Sequence, residues 1–410
     1  MMNTDPPRSR WRWLAPGLAL AAIVAGVAWL LHAERAEQPV AVAAAAAAAP
    51  PQTGLARAAV SSAPPAMTKR QLQDNLQLTQ QTYCNYRAST RYPHSSRPIA
   101  EQPDQVYPNA PVNEANPMRL DKGKADPKVL IQTSQTRVYL AAGESAAFSI
   151  RAVDPDGNVL PLVITGATAQ GMRFGAERPL APLAVPFADD GQGADPVAGD
   201  GAFAATLVPG QTALANFAGT IRTQVTFSVG GQSGSVNFDV IHSPELPAVW
   251  TGTPREAVEN GSLEFYLKAD VRQPGRYLVS GRIDDAKGKP FALATFNDVL
   301  HAGPGEIRLT VFGKLLRDQE AAMPLTLRDV DGYLLKENTD PDRSLMPRLE
   351  GKVLTAKPHP LNGFSDSEWR SEERDRHLAE FGKDFKAARA ALGRFDPATP
   401  LPAPACPLPP

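Results

Sequence analysis

Val225-Thr226-Phe227-Ser228-Val229-Gly230-Gly231-Gln232-Ser233-Gly234-Ser235-Val236-Asn237-Phe238-Asp239-Val240 reads as two strands and the turn between them. Valine and phenylalanine alternate with small polar residues on either side, which is the period of a sheet with one buried face. Gly230-Gly231 supplies the left-handed backbone that a two-residue hairpin turn requires. The stretch predicts an antiparallel hairpin.

The same texture extends upstream to Lys128. Val129 to Ile131, Val138 to Leu140 and Phe148 to Ala152 read as strands. Gly143, Asp154-Pro155-Asp156-Gly157 and Asp189-Asp190-Gly191 punctuate them as turns. Closely spaced strands without a long helix predict an immunoglobulin-like sandwich over residues 128–243. Ser243 to Pro247, with two prolines, breaks the pattern. A second β region follows over 248–360, with strands at Leu263 to Leu267, Arg276 to Val279, Phe291 to Leu293 and Ile307 to Val311. Its Arg282 to Gly288 echoes Ala152 to Gly157, in each case a strand running into an Asp-containing turn. The expected fold class is therefore mainly β, two tandem immunoglobulin-like β-sandwiches, framed by helices.

On the N-terminal side, residues 68–127 form a short helix and a Pro-rich segment. Thr68 and Gln71 are spaced as a capping box, and Leu72, Leu76, Thr79 and Tyr83 follow at helical spacing. From Cys84 to Pro127 no regular element is expected; the segment reads as chain laid over another surface. On the C-terminal side, 365–395 is expected to be a helix capped by Ser365 and Glu368. Its stripe of Leu378, Phe381, Phe385, Ala388 and Leu392 would dock on its own domain rather than form a coiled coil. Residues 396–410 form a Pro-rich tail that reads as loose.

Ahead of all this, no side chain from Leu14 to Leu31 is charged. A helix of about 18 residues rises roughly 27 Å, close to the hydrocarbon thickness of a bilayer. Trp11, Trp13 and Trp29 stand near its ends, and Arg8, Arg10 and Arg12 precede it. Residues 1–33 are thus expected to be a cytoplasmic tail and signal-anchor, with an Ala/Pro-rich linker over 34–67. This places the chain in the inner membrane, single pass, its bulk periplasmic. The alternative is a secreted protein cleaved near Leu31-His32-Ala33.

Composition excludes more than it assigns. The formal charge is −1, so no basic field recruits nucleic acid. Six histidines are scattered and no nucleotide loop or zinc-protease motif occurs. The two cysteines, Cys84 and Cys406, both follow the apolar run, and a bridge between them is expected in an oxidising compartment; the alternative is two thiols, free or linking separate chains. Gly143-Glu144-Ser145-Ala146-Ala147 has the letters of a nucleophile elbow but continues as strand, not helix. Chemical capacity is densest at Asp189, Asp190, Asp195 and Asp200, hinged on glycines. These four carboxylates offer oxygen ligands to calcium, or else simply set turn geometry. No other cofactor is expected.

The run DDGQGADPVAGDGAF (residues 189–203) resembles the signature of bacterial exported immunoglobulin-like domains of the choice-of-anchor class. The stretch from Pro274 to Glu350 is similar to uncharacterised envelope or secreted proteins of Gram-negative bacteria. The resemblance covers about half the chain and implies export and β-sandwiches. It carries no catalytic residue. The expected function is non-enzymatic binding or scaffolding at the envelope, with the inner membrane and an unknown envelope protein or glycan as partners. The alternatives are a secreted carbohydrate- or surface-binding protein and a hydrolase with its site between the sandwiches.

Overall fold

A computed structural model describes residues 67–120, 124–173 and 180–407. The apolar run 11–31 and the linker that follows it, up to residue 66, lie outside them. Among the described residues no helix is long and apolar enough to cross a membrane.

The chain opens with α1 (Lys69–Ser89). Both halves of its capping box form: Gln71 N donates to Thr68 Oγ1 (3.3 Å) and Thr68 N to Gln71 Oε1 (2.8 Å). Then comes β1 (Ser96–Pro98), followed by two single 3₁₀ turns. Eight strands build the first pair of sheets before the hairpin: β2 (Val112–Arg119), β3 (Ala125–Gln135), β4 (Tyr139–Ala141), β5 (Ala146–Val153), β6 (Val159–Leu160), β7 (Leu162–Gly171), β8 (Leu183–Ala184) and β9 (Phe203–Leu207). The hairpin itself is β10 (Gly219–Val229) and β11 (Gln232–Ser243), closed at Val229↔Gln232. Gly230 and Gly231 have φ of +56° and +80°, so both turn positions need glycine.

One sheet runs β2-β3-β5-β6 with β9 also on β5, and the other runs β4-β11-β10-β7-β8. All pairings are antiparallel except β4 with β11. Phe148 and Ile150 of β5 point into cores shared with Ile221, Val225 and Phe227 of β10, so the two sheets face each other. The Phe148 and Phe238 rings stack at 4.7 Å.

Beyond Pro247 the second pair is built from β12 (Ala248–Glu259), β13 (Ser262–Val271), β14 (Gly275–Asp284), β15 (Pro290–Leu300), β16 (Gly303–Val311), the short α2 (Gly313–Asp318), β17 (Thr326–Leu335), β18 (Arg343–Leu345) and β19 (Leu349–Thr355). Its sheets are β12-β13-β16 and β1-β15-β14-β17-β18, with β19 also on β17. Leu263, Phe265, Ile307 and Leu309 from one meet Tyr277, Val279, Leu327 and Val330 from the other, all at most 1% exposed. The strands predicted at 263–267, 276–279, 291–293 and 307–311 all fall within observed ones.

The segment 84–127 is laid in part on the second sheet pair, as expected, but it holds regular elements where none was expected. It holds the end of α1, then β1, β2 and the start of β3. These strands leave no periodic trace because partners distant in sequence hold them. β1 pairs with β15 of the second sheet pair (Arg97↔Leu293). In β2 only Met118 is buried, so seven of its eight residues carry no inward pattern. The two Asp turns noted in the sequence do share geometry: Asp154 Oδ1 accepts from Asp156 N and Asn158 N, and Asp285 Oδ1 from Lys287 N and Lys289 N. The strands they close sit differently, β5 between β3 and β9, β14 between β15 and β17. The echo is therefore one of turn chemistry.

The last element, α3 (Glu372–Phe395), starts seven residues later than expected. Ser371, not Ser365, caps it, accepting from Arg374 N (3.1 Å). Glu368 is used elsewhere: it accepts from Arg87 of α1 (3.1 Å) and from the buried Arg374 of α3. Burial pushes the Glu368 carboxyl up, but bonds and charge from the two arginines outweigh this and hold it below its ordinary value. The apolar stripe of α3 is a docking face, and it packs on α1. Phe385, Ala388 and Leu392 meet Leu72, Leu76 and Tyr83. The tail is also held, contrary to its reading as loose: Leu401 packs on the helix pair and Arg389 Nη1 donates to Pro402 O (2.8 Å). A disulfide joins Cys84 to Cys406, Cα atoms 5.8 Å apart, so the tail is bonded to α1.

Candidate functional site

The loop between β8 and β9 carries the four aspartates. Three of them, Asp189, Asp195 and Asp200, place carboxylate oxygens within 4.8 Å of one another. Asp190 is not in that group; its Oδ1 accepts from Gln192 N (3.0 Å). The clustered carboxylates are already at work on the loop's own backbone. Asp189 accepts from Gly199 N (2.6 Å), Asp200 N (3.2 Å) and Gly201 N (2.9 Å). Asp195, 3% exposed, accepts from Gly191 N (2.6 Å) and Val197 N (3.2 Å). Ala202 N donates to Asp200 Oδ1 (2.9 Å). Glycine is needed at 191, 199 and 201, where φ lies between +72° and +82°. With one oxygen from each, the three carboxylates would supply only part of the six to eight oxygens calcium takes, although lone pairs remain on each.

Two outcomes follow for this loop. Millimolar calcium is expected to leave the thermal midpoint where chelator leaves it, since backbone amides already hydrogen-bond the carboxylates of the cluster. Asp189→Ala is expected to destabilise by about 2–3 kcal/mol, because it strands several loop amides at once. Parallel thermal melts of both chains, with calcium and with chelator, measure both effects. A calcium-dependent rise in midpoint that Asp189→Ala abolishes would mark a metal site instead.

The Gly143-Glu144-Ser145 segment serves the fold. Glu144 Oε2 accepts from Ala141 N (2.7 Å), closing the turn between β4 and β5. The same carboxylate reaches across to the second sheet pair, accepting from Arg348 Nη1 (2.6 Å), while its Oε1 meets Arg137 Nη1 (2.9 Å). Arg137 in turn pairs with Glu350. Ser243 Oγ accepts from Leu345 N (3.1 Å).

Around these bridges lies a cleft of about 400 Å³. Tyr139 of β4 forms one wall, and Tyr333 of β17 with Arg343 of β18 forms another. The Arg343 guanidinium lies over both rings, 5.1 Å from the Tyr139 centroid and 4.8 Å from that of Tyr333. Each face offers the cation an attractive quadrupole. Beneath them Arg282 of β14 is 1% exposed. It donates to Gln105 O (3.1 Å), Gln105 Oε1 (2.7 Å), Asp329 O (2.9 Å) and the Asp331 carboxylate. Asp329 has φ +46° at a bulge where the β14–β17 register shifts, which turns its carbonyl toward Arg282. Burial raises the Asp331 carboxyl above its ordinary value against the pull of Arg282, though about a third of its side chain (36%) stays exposed.

No family model matches the chain. No curated protein matches it either, so the choice-of-anchor resemblance rests on the residues quoted for it. Among solved structures, the chain is similar to a DUF4785 family protein from Legionella pneumophila subsp. pneumophila str. Philadelphia 1, at 12% identity and a TM-score of 0.37 over 55% of this chain and 57% of that one. It is also similar to the adhesin InvE of Yersinia pseudotuberculosis, at 12% identity and a TM-score of 0.16 over 53% and 58% of the two chains. The chain thus spans a little over half the length of each.

None of the cleft residues was singled out in the sequence. Tyr139, Arg282, Tyr333 and Arg343 are spread over some two hundred positions, Tyr139 in an expected strand, Arg282 where a strand runs into its turn, and the other two in no element expected from the sequence. The only signal was general: two stacked sandwiches create a junction, and junctions collect pockets.

Proposed function

We propose that the chain is a non-enzymatic binding or scaffolding protein of the bacterial envelope, exported and tethered by residues 11–31. The observation that carries this reading is the Cys84–Cys406 disulfide, which ties the C-terminal tail to α1. Such bonds form and persist in oxidising compartments. The ion pairs across the sheet junction add to it, since they favour one fixed arrangement, as a scaffold requires. Strand order supports an immunoglobulin-like reading of both sheet pairs. β3-β5-β9 opposite β11-β10-β7, and β12-β13-β16 opposite β19-β17-β14, follow the A-B-E and G-F-C pattern of that sandwich.

Fusing alkaline phosphatase to the C-terminus tests this placement. An active fusion in the membrane fraction is expected. A soluble mature chain starting near Glu34 would favour the secreted alternative, and an inactive fusion would contradict export altogether. The hydrolase alternative would place catalysis in the junction cleft. Turnover of a chromogenic ester or glycoside that Arg343→Ala abolishes would favour it over binding.

A further inference from the structure

The junction cleft has hydrogen-bonding capacity left over after the fold has used what it needs. Arg343 donates Nε (2.7 Å) and Nη2 (3.0 Å) to Asp342, and among the described residues no partner occurs for its Nη1. Arg348 donates Nη1 to Glu144 and Nη2 to Tyr139 O, with no such partner for Nε. On the accepting side, Asp331 uses Oδ2 for Arg282, and among the described residues its Oδ1 has no donor. Asn109, also in the lining, gives its amide to Asp329 at 3.4 Å, and its carbonyl oxygen has no donor among the described residues. Donors and acceptors therefore stand in one cleft, walled by two tyrosine rings.

Charge decides which ligand suits them. Each guanidinium already has a carboxylate: Arg282 has Asp331, Arg343 has Asp342 and Arg348 has Glu144. An anion would meet Asp331 and Asp104 in the lining, and a cation would meet three arginines. Either would be desolvated beside like charges as well as opposite ones. A hydroxyl group both donates and accepts, so it can meet Arg343 Nη1 and Asp331 Oδ1 alike. The volume lies toward the small end of the usual range for small-molecule sites. We infer that the cleft between the two sheet pairs binds an uncharged saccharide of one or two rings, its hydroxyls held by Arg343, Arg348, Asp331 and Asn109. This does not depend on where in the cell the chain resides.

Ligand-observed saturation-transfer NMR on the folded chain tests it. The probes are cellobiose, maltose, lactose and diacetylchitobiose, with glucuronate and glucosamine as charged comparators. At least one neutral disaccharide is expected to bind saturably below about 10 mM. Arg343→Ala and, separately, Asn109→Ala are each expected to weaken that binding roughly tenfold or more. Among the described residues the Asn109 side chain makes a single long hydrogen bond, so its variant reads the site even if Arg343→Ala loosens the junction. The inference is overturned by silence from all four neutral probes. It is equally overturned by preference for a charged comparator, or by binding that survives both substitutions.

Discussion

Replacing Cys84 and Cys406 with serine together is expected to produce the largest loss of stability of any surface change in this chain. The bond spans 322 positions, and loop-entropy arithmetic assigns a closure of that length about 5–6 kcal/mol, an upper figure for the unfolded chain. The loss should be local in its first effect. α1 and α3 rest on one small cluster of Leu72, Leu76, Tyr83, Phe385, Ala388 and Leu392, whereas each sheet pair has its own core. In a denaturant series the helical circular-dichroism signal of the double variant should therefore fall before the sheet signal, at a lower midpoint than in the parent. Reduced parent chain should follow the variant. Superimposable curves for parent, variant and reduced chain would mean that the bond adds nothing to the helix pair.

Arg282→Met should cost about 2–4 kcal/mol, since buried carbonyls lose their donor and a partly exposed carboxylate loses its cation. The substitution keeps the volume but leaves Asp331 without its cation, and strips the Gln105 and Asp329 carbonyls of their donor. Because Arg282 joins the 3₁₀ segment before β2 to β14 and β17, the effect should reach the β1 strap as well. Restoring a neutral pair with Arg282→Met/Asp331→Leu should recover part of the loss. Equilibrium unfolding of both variants measures this. A double variant no better than the single one would show that the carbonyls, not the carboxylate, dominate.

What could be read in the sequence follows what is local. The Gly230-Gly231 hairpin, the Thr68–Gln71 capping box and the alternating strands at 148–152 and 307–311 were legible because their chemistry lies within a few residues. β2 and β1 were not, since β2 is exposed along most of its length and β1 is a three-residue strap whose partner, β15, lies about two hundred positions away. The false cap at Ser365–Glu368 misled for a related reason. Its spacing was right, but Glu368 is claimed by Arg87 and Arg374, a competition only the tertiary structure contains. In the Asp189–Asp200 loop the sequence marked the right residues and left their use open. The structure shows Asp189 and Asp195 spending their oxygens on backbone amides, and leaves Asp190 outside the cluster. The junction cleft lay furthest out of reach, because residues from β4, β14, β17 and β18 meet there only once both sheet pairs have formed.

The reading as an exported scaffold depends most directly on the state of two sulfur atoms in the cell. Blocking free thiols in intact producing cells, then digesting the chain without reductant and weighing its peptides, reports that state. The expected result is a single cross-linked species joining the Cys84 and Cys406 peptides, with neither cysteine alkylated. Recovery of both cysteines as separate alkylated peptides would contradict the account.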